Sequence, residues 1–108
     1  MAPELPPDMT TETIWVLEGR YAPDAAELRR PYRAEHLARI ARLRDEGVIL
    51  EAGAFVDMSA SMLLFRVATE EAAMALARED VYLREGVWVE LRCRAFARAI
   101  RTSEAAGR

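Results

Sequence analysis

Hydrophobic and polar positions alternate with two different periods along the chain, and together they predict six elements. Four short runs rich in β-branched and aromatic residues predict strands, which span residues 13–20, 48–56, 61–68 and 87–96. Residues 32–46 instead repeat Leu37, Ile40 and Leu43 at helical spacing. A second helix at 70–79 follows Thr69, a residue favoured at helix N-caps. The β-α-β-β-α-β order predicts an α+β ferredoxin-like protomer, with two helices on one face of an antiparallel four-stranded sheet.

The length of 108 residues suits one domain, with a short segment on either side. Residues 1–12 hold three of the five prolines and show no hydrophobic period, so we expect a flexible N-terminal lead. Residues 97–108 are rich in alanine and arginine, which predicts a frayed C-terminal tail or a short terminal helix. The α+β domain is therefore expected to span residues 13–96.

Strict alternation along the fourth strand predicts which residues face the helices. Val87, Val89 and Leu91 are expected to face them, with Cys93 as a buried thiol of low reactivity. The second face of the sheet is expected to carry Glu51, Phe55, Met62, Leu64, Arg66, Trp88, Glu90, Arg92, Arg94 and Phe96. Such a face is either solvated or covered by a second copy of the chain. We favour a twofold homodimer, because the apolar part of this face is large enough to attract a partner.

Composition excludes several functional classes. There are 15 basic and 18 acidic residues, so a basic surface for nucleic acid is not expected. No apolar run approaches the roughly 20 residues of a membrane span, and the N-terminal residues lack the pattern of a secretory signal. The single cysteine and the lack of an export signal together predict a cytoplasmic protein. One histidine and no lysine leave no basis for a multi-histidine metal centre, a P-loop or a Schiff base, so neither metal nor cofactor is expected.

His36 and Asp80 are the candidate chemical groups. His36 lies four residues before Ile40 on the apolar side of the first helix, and Asp80 lies four residues after Leu76. If the second helix extends by one turn, both side chains converge under the helices, whereas Arg39 on the first helix is expected to face solvent. Two interpretations remain open: a structural hydrogen bond between the helices, or a general base whose tautomer Asp80 fixes.

Several short motifs, in this order along the chain, resemble a known family; they are Arg33-Ala-Glu-His36-Leu37, Gly47, Ala52-Gly53, Ser61 with Leu64-Phe65, Thr69-Glu-Glu-Ala72, Asp80-Val-Tyr82, Gly86-Val87 and the strand ending at Phe96. The ordered set resembles the YCII-related (YciI-like) domain family over residues 13–96. The resemblance implies a dimeric α+β barrel and a His36–Asp80 dyad at the active site. A member with an assigned reaction is similar to a dehydrochlorinase that eliminates chloride from a chlorinated hydroxyhydroquinone. One departure is Val81, where the family usually has proline.

These observations predict a cofactor-independent enzyme, a lyase or isomerase, that acts on a small and possibly aromatic substrate. His36 would abstract a proton and Asp80 would orient it, while Arg33 or Tyr82 would contact a phenolate or carboxylate. Gly53 interrupts a strand, which predicts a bulge or a close approach to the backbone. Gly53 and Ser61 complete the predicted substrate site. Ser61 also stands next to a predicted turn, so it is interpreted as a turn residue as well. The alternative is a non-catalytic homodimer, structural or ligand-binding, and fold analogy alone adds a small monooxygenase or a lactone isomerase.

Overall fold

The computed structural model describes residues 5–106. Its elements in chain order are β1 (Met9–Tyr21), α1 (Ala25–Leu28), α2 (Arg33–Asp45), β2 (Ile49–Ala54), β3 (Ala60–Phe65), α3 (Glu70–Arg78), α4 (Val81–Arg84), β4 (Trp88–Arg101) and α5 (Thr102–Ala106). The strands form one antiparallel sheet in the order β2-β3-β1-β4. The two longest helices, α2 and α3, pack against this sheet, so the predicted α+β ferredoxin-like fold is confirmed. No helix between residues 5 and 106 is long and apolar enough to cross a bilayer.

The two outer segments of the chain pair with each other instead of flanking the domain loosely. β1 begins at Met9, which pairs with Arg101 at the end of β4. Glu12 accepts a hydrogen bond from Arg98 at 2.9 Å across this pair of strands. The expectation of a flexible lead and a frayed tail is therefore wrong for residues 9–12 and 97–101, because each segment supplies the other's backbone partners. Residues 1–4 and 107–108 of those two predicted segments lie outside the described residues.

The core lies between the sheet and the helices. α2 contributes Ile40 and Leu43, and α3 contributes Ala73 and Ala77, whose small side chains let the helix approach the strands closely. The larger buried side chains of this core are Leu17, Tyr21, Leu63, Phe65, Tyr82, Val87 and Trp88. This layer also contains His36 and Asp80.

A β-bulge in β4 reverses the predicted orientation of two side chains, Trp88 and Val89. Arg20 pairs with Glu90, but the next residue, Tyr21, pairs with Trp88, so Val89 is the extra residue. Trp88 therefore turns to the helix side and is 1% exposed, whereas Val89 is 47% exposed. The prediction for these two side chains was wrong, because strict alternation fails at a bulge.

Gly19 makes room for the indole of Trp88. A Cβ atom at Gly19 would lie 2.6 Å from the Trp88 ring, a distance that real Cβ contacts do not reach. The absence of a side chain at this position is what allows the tryptophan to lie against β1.

The sheet face away from the helices follows the prediction elsewhere. We call it the open face; by the register it includes Val16, Glu18, Arg20, Glu51, Met62, Leu64, Glu90, Arg92, Arg94 and Phe96. Its charged residues pair across strands, as in Arg20 with Glu90 at 2.9 Å and Arg94 with Glu18 at 3.3 Å. Apolar side chains lie between these pairs, and Phe96 is 48% exposed.

Candidate active site

His36 and Asp80 meet beneath α2, so the predicted convergence of the two side chains is present. His36 lies in the first turn of α2, and the Nδ1 atom of its ring is 2.8 Å from Oδ1 of Asp80. Asp80 is fully buried and His36 is 7% exposed. Because the carboxylate oxygen can only accept a hydrogen bond, the Nδ1 atom of the neutral ring carries the proton and Nε2 keeps its lone pair.

Asp80 reaches this position by a route that differs from the predicted one. α3 ends at Arg78, and Asp80 is instead the N-cap of the short helix α4, where its Oδ1 accepts from the backbone N–H of Tyr82 at 2.9 Å. Residues 81–84 lie between the predicted second helix and the predicted fourth strand, and they form one helical turn. Val81 is 3% exposed at the first position of that turn, so the turn forms with valine where the family usually has proline. The cap fixes the direction of the carboxylate toward His36.

Arg39 is the third member of this cluster, and the prediction that it faces solvent was wrong. It follows His36 by three residues, which puts both side chains on one side of α2. Its Nη1 atom donates to Oδ2 of Asp80 at 3.2 Å, and Nη2 donates to the carbonyl oxygen of Leu76 at 2.7 Å. The Arg39 side chain is only 13% exposed. A guanidinium at this distance balances the charge of the buried carboxylate.

Aromatic rings hold the imidazole of His36 in place. The Tyr82 ring stacks on it with centroids 3.8 Å apart and planes 7° from parallel. Trp88 meets the edges of both rings almost at right angles, at 5.6 Å from His36 and 5.7 Å from Tyr82. Burial raises the pKa of the Tyr82 hydroxyl, so Tyr82 stays a neutral phenol at physiological pH. Packing on two sides therefore leaves the imidazole little freedom to rotate.

A chain of hydrogen bonds runs from Trp88 to Tyr21. The indole Nε1 of Trp88 donates to the Ser61 hydroxyl at 3.0 Å, and that hydroxyl lies 2.8 Å from the Tyr21 hydroxyl. Ser61 is 3% exposed within β3, so its prediction as a turn residue was wrong. Sequence reasoning missed Tyr21. The signal that could have placed it is strand alternation, because Leu17, Gly19 and Tyr21 follow one another on the same face of β1.

A cleft of about 140 Å³ opens beside the imidazole. Its lining residues are Tyr21, Arg29, Arg33, His36, Leu37, Ile40, Ala52, Gly53, Ala54, Ser61, Leu63 and Tyr82. All the residues predicted for substrate binding line it, whereas Asp80 lies behind His36. Leu37, predicted to face the core, is 48% exposed. The irregular pairing of β2 lies before Gly53, so the bulge predicted there was wrong, and no described protein group lies within 4 Å of a Cβ atom built at this residue.

The second ring nitrogen of His36 is available to a ligand. Nδ1 is used by Asp80, and no side chain or backbone group between residues 5 and 106 forms a hydrogen bond with Nε2. His36 itself lines the cleft. The arrangement can therefore accept a proton at Nε2 from a molecule in the cleft and return it, while Asp80 stabilises the imidazolium formed in between. In the described part of the chain, no three histidine, cysteine, aspartate or glutamate side chains are grouped to hold a metal ion.

The family follows from comparison with known proteins. A model of the YCII-related domain matches residues 13–97. The chain belongs to the YCII-related domain family. A search of curated proteins finds no sequence match.

A solved structure of similar fold can be compared with this YCII-family chain. It is the 5-chloro-2-hydroxyhydroquinone dehydrochlorinase of Burkholderia phenoliruptrix AC1100 in complex with 2,5-dihydroxybenzoquinone. The TM-score is 0.68, and the match covers 77% of this chain and 92% of that chain. The sequences are 16% identical, so this likeness concerns the fold.

Proposed function

We propose that this YCII-family protein is a cofactor-independent lyase or isomerase of small ring compounds, with His36 as its general base. The observation that carries the proposal is an imidazole that lines a cleft and is held by Asp80 at 2.8 Å, and whose Nε2 atom has no partner among residues 5–106. A base with a fixed tautomer and a fixed ring plane is prepared to accept a proton without first reorganising.

The proposed reaction begins when Nε2 accepts a proton from an O–H or C–H group of the substrate. In an elimination, the electron pair left behind forms a new π bond while the leaving group departs with its own pair. In an isomerisation, the imidazolium instead returns the proton to a different atom. Asp80 stays ionised throughout and stabilises the imidazolium through its hydrogen bond to Nδ1.

The dimensions of the cleft support a substrate with one ring. Its volume of about 140 Å³ is close to the roughly 150 Å³ of a protein cavity that admits benzene. Arg33 would contact an anionic group of the ring, and Ser61, Gly53 and Tyr82 would line its sides. The dehydrochlorinase of similar fold is bound to a single-ring compound, which favours the same class of substrate here.

The test is turnover of 5-chloro-2-hydroxyhydroquinone, measured as released chloride, with hydrogen–deuterium exchange of related hydroxyquinones as a second readout. The His36→Gln variant should lose at least about 100-fold in rate. Arg78→Gln changes an exposed arginine of α3 that does not line the cleft, so this control should keep the wild-type rate. Full turnover by His36→Gln, or the absence of both reactions in the wild type, would contradict the proposal.

A structural role for the pair is the second candidate, because Asp80 also caps α4 and binds Arg39. Under this alternative the same His36→Gln change lowers the melting temperature and leaves ligand binding intact. Melting curves, binding and turnover measured on one preparation separate the two candidates.

We also propose that a second copy of the chain covers the open face, giving a homodimer. The face combines exposed apolar side chains, including Phe96 at 48% exposure, with cross-strand ion pairs. A twofold axis would place each apolar patch against its equivalent. Sedimentation equilibrium should give twice the chain mass; a monomer would refute this part of the proposal.

A further inference from the structure

Two arginines of the cleft have no acidic partner within residues 5–106, whereas most other arginines of that range do. Across residues 5–106, most guanidinium groups lie within 4.0 Å of a carboxylate oxygen. Within that range Arg29, Arg33 and Arg78 have no such contact. Arg29 and Arg33 both line the cleft, and Arg78 does not. The cleft therefore concentrates positive charge that this part of the chain does not neutralise.

The charge of these two arginines reaches into the cleft. The Arg29 guanidinium lies 6.0 Å from the centre of the Tyr21 ring. Burial raises the pKa of the Tyr82 hydroxyl, and the charges of Arg29 and Arg33 act in the opposite direction. Both guanidinium groups thus favour negative charge on an oxygen atom near that position.

The chain from Trp88 to Tyr21 leaves one hydroxyl proton for a ligand. An indole N–H can only donate, so Trp88 occupies one lone pair of the Ser61 oxygen. The Ser61 and Tyr21 hydroxyls share one further hydrogen bond at 2.8 Å; with Ser61 as its donor, the Tyr21 proton has no acceptor among the described groups. Since Tyr21 lines the cleft, that proton is available to an acceptor inside it.

We propose that Tyr21, Arg29 and Arg33 form an oxyanion subsite in the cleft, and that the ligand is a single-ring compound carrying an ionised oxygen. Tyr21 donates its hydroxyl proton to that oxygen, and the two guanidinium groups supply the opposite charge. The inference rests on the proposed function, since the same cleft serves both, and it adds the charge and the orientation of the substrate. With the oxyanion on the arginine side, the rest of the ring lies toward Nε2 of His36.

The test uses 4-nitrophenol, because its phenolate absorbs visible light and its neutral form does not. At a pH near the midpoint of its ionisation, wild-type protein should increase the ionised fraction. Tyr21→Phe and Arg29→Gln should each weaken phenolate binding by about tenfold, the size expected for one hydrogen bond to a charged group. Nitrobenzene, a neutral ring of similar size, should bind all three proteins equally and more weakly than the phenolate.

Three further arms complete the design. Arg78→Gln removes the same charge outside the cleft and should bind the phenolate as the wild type does. Ser61→Ala keeps the Tyr21 hydroxyl but removes its donor, and should weaken binding less than Tyr21→Phe. Benzoate will displace the phenolate if the subsite accepts oxyanions in general. It will not displace the phenolate if the subsite accepts phenolates alone.

The outcomes are decisive because the measurement is of binding and not of turnover. The subsite is refuted if the wild type does not bind the phenolate, if nitrobenzene binds as tightly, or if both Tyr21→Phe and Arg29→Gln bind like the wild type. Melting curves verify that each variant is folded, and the partly exposed Arg29 keeps the test valid if Tyr21→Phe unfolds. Because the readout is phenolate binding by the wild type, Tyr21→Phe and Arg29→Gln, the absence of turnover would leave this result unchanged.

Discussion

Arg39 contacts two carboxylates that differ mainly in burial, and this contrast gives a quantitative prediction. Asp80 is fully buried with its Oδ2 at 3.2 Å from Arg39, whereas Glu79 is 70% exposed with its nearest oxygen at 3.6 Å. Replacing each by its amide, in Asp80→Asn and Glu79→Gln, removes one negative charge and almost no volume. We expect the two variants to differ strongly in stability.

The magnitude follows from the contacts of Asp80. In the asparagine variant, the amide oxygen can still accept from His36 and from the backbone N–H of Tyr82. The amide nitrogen then faces Arg39, so a donor opposes a donor. Breaking a buried ion pair from one side costs about 3–5 kcal/mol, and the lower end applies because Arg39 keeps the carbonyl oxygen of Leu76. The exposed pair with Glu79 contributes less than about 1 kcal/mol.

The assay is thermal unfolding followed by circular dichroism at neutral pH. At roughly 4 °C per kcal/mol for a chain of this size, Asp80→Asn should lower the melting temperature by about 12 °C. Glu79→Gln should lower it by less than about 4 °C. Equal shifts for the two variants, or a more stable Asp80→Asn protein, would refute the claim that burial makes the Asp80 contacts important.

Three other outcomes follow from the packing and the titratable groups. Gly19→Ala should cost about 1–3 kcal/mol in urea unfolding because its Cβ would overlap Trp88, and Gly53→Ala should change the stability by less than about 0.5 kcal/mol. Burial raises the pKa of the Cys93 thiol, so at mildly alkaline pH it should react more slowly with a disulfide reagent in the folded protein than in urea; equal rates would contradict this. Burial also raises the pKa of Tyr82 above its ordinary value of 10.0. The stability that the buried neutral phenol contributes is therefore complete below pH 10.0 and is lost as the pH rises further. The wild type should therefore lose more stability than Tyr82→Phe between about pH 9 and pH 11.

Hydrophobic periodicity was sufficient for the architecture and for the place of His36 on the buried side of α2, but not for Asp80, which reaches His36 as the N-cap of α4. The alternation of buried Leu17 with its neighbours Val16 and Glu18, and the helical spacing of Ile40 and Leu43, are local patterns, and each follows from one buried face. The positions that depend on pairing between distant segments were not predictable in this way. Nothing in the local sequence shows that the first and last strands extend along each other.

Single irregularities account for the errors at the site. The bulge at Val89 turns Trp88 from the predicted second face into the wall of the site, and alternation alone gives no sign of it. Arg39 lies among other arginines on α2, so it was predicted to face solvent with them. Only the position of Asp80 as the N-cap of α4 shows why the Arg39 side chain points inward. Tyr21 was missed because its role depends on Ser61 and Trp88, which are distant in the sequence.

The most direct test of the central claim is the tautomer of His36, measured by nitrogen NMR on protein labelled with ¹⁵N-histidine. His36 is the single histidine of the chain, so its two ring nitrogens give the only ring signals. The account predicts that in the neutral ring Nδ1 carries the proton, donated to Asp80, and that Nε2 shows the shift of an unprotonated nitrogen. A neutral ring protonated at Nε2 would contradict the account, because the lone pair would then be absent from the atom that must act as the base.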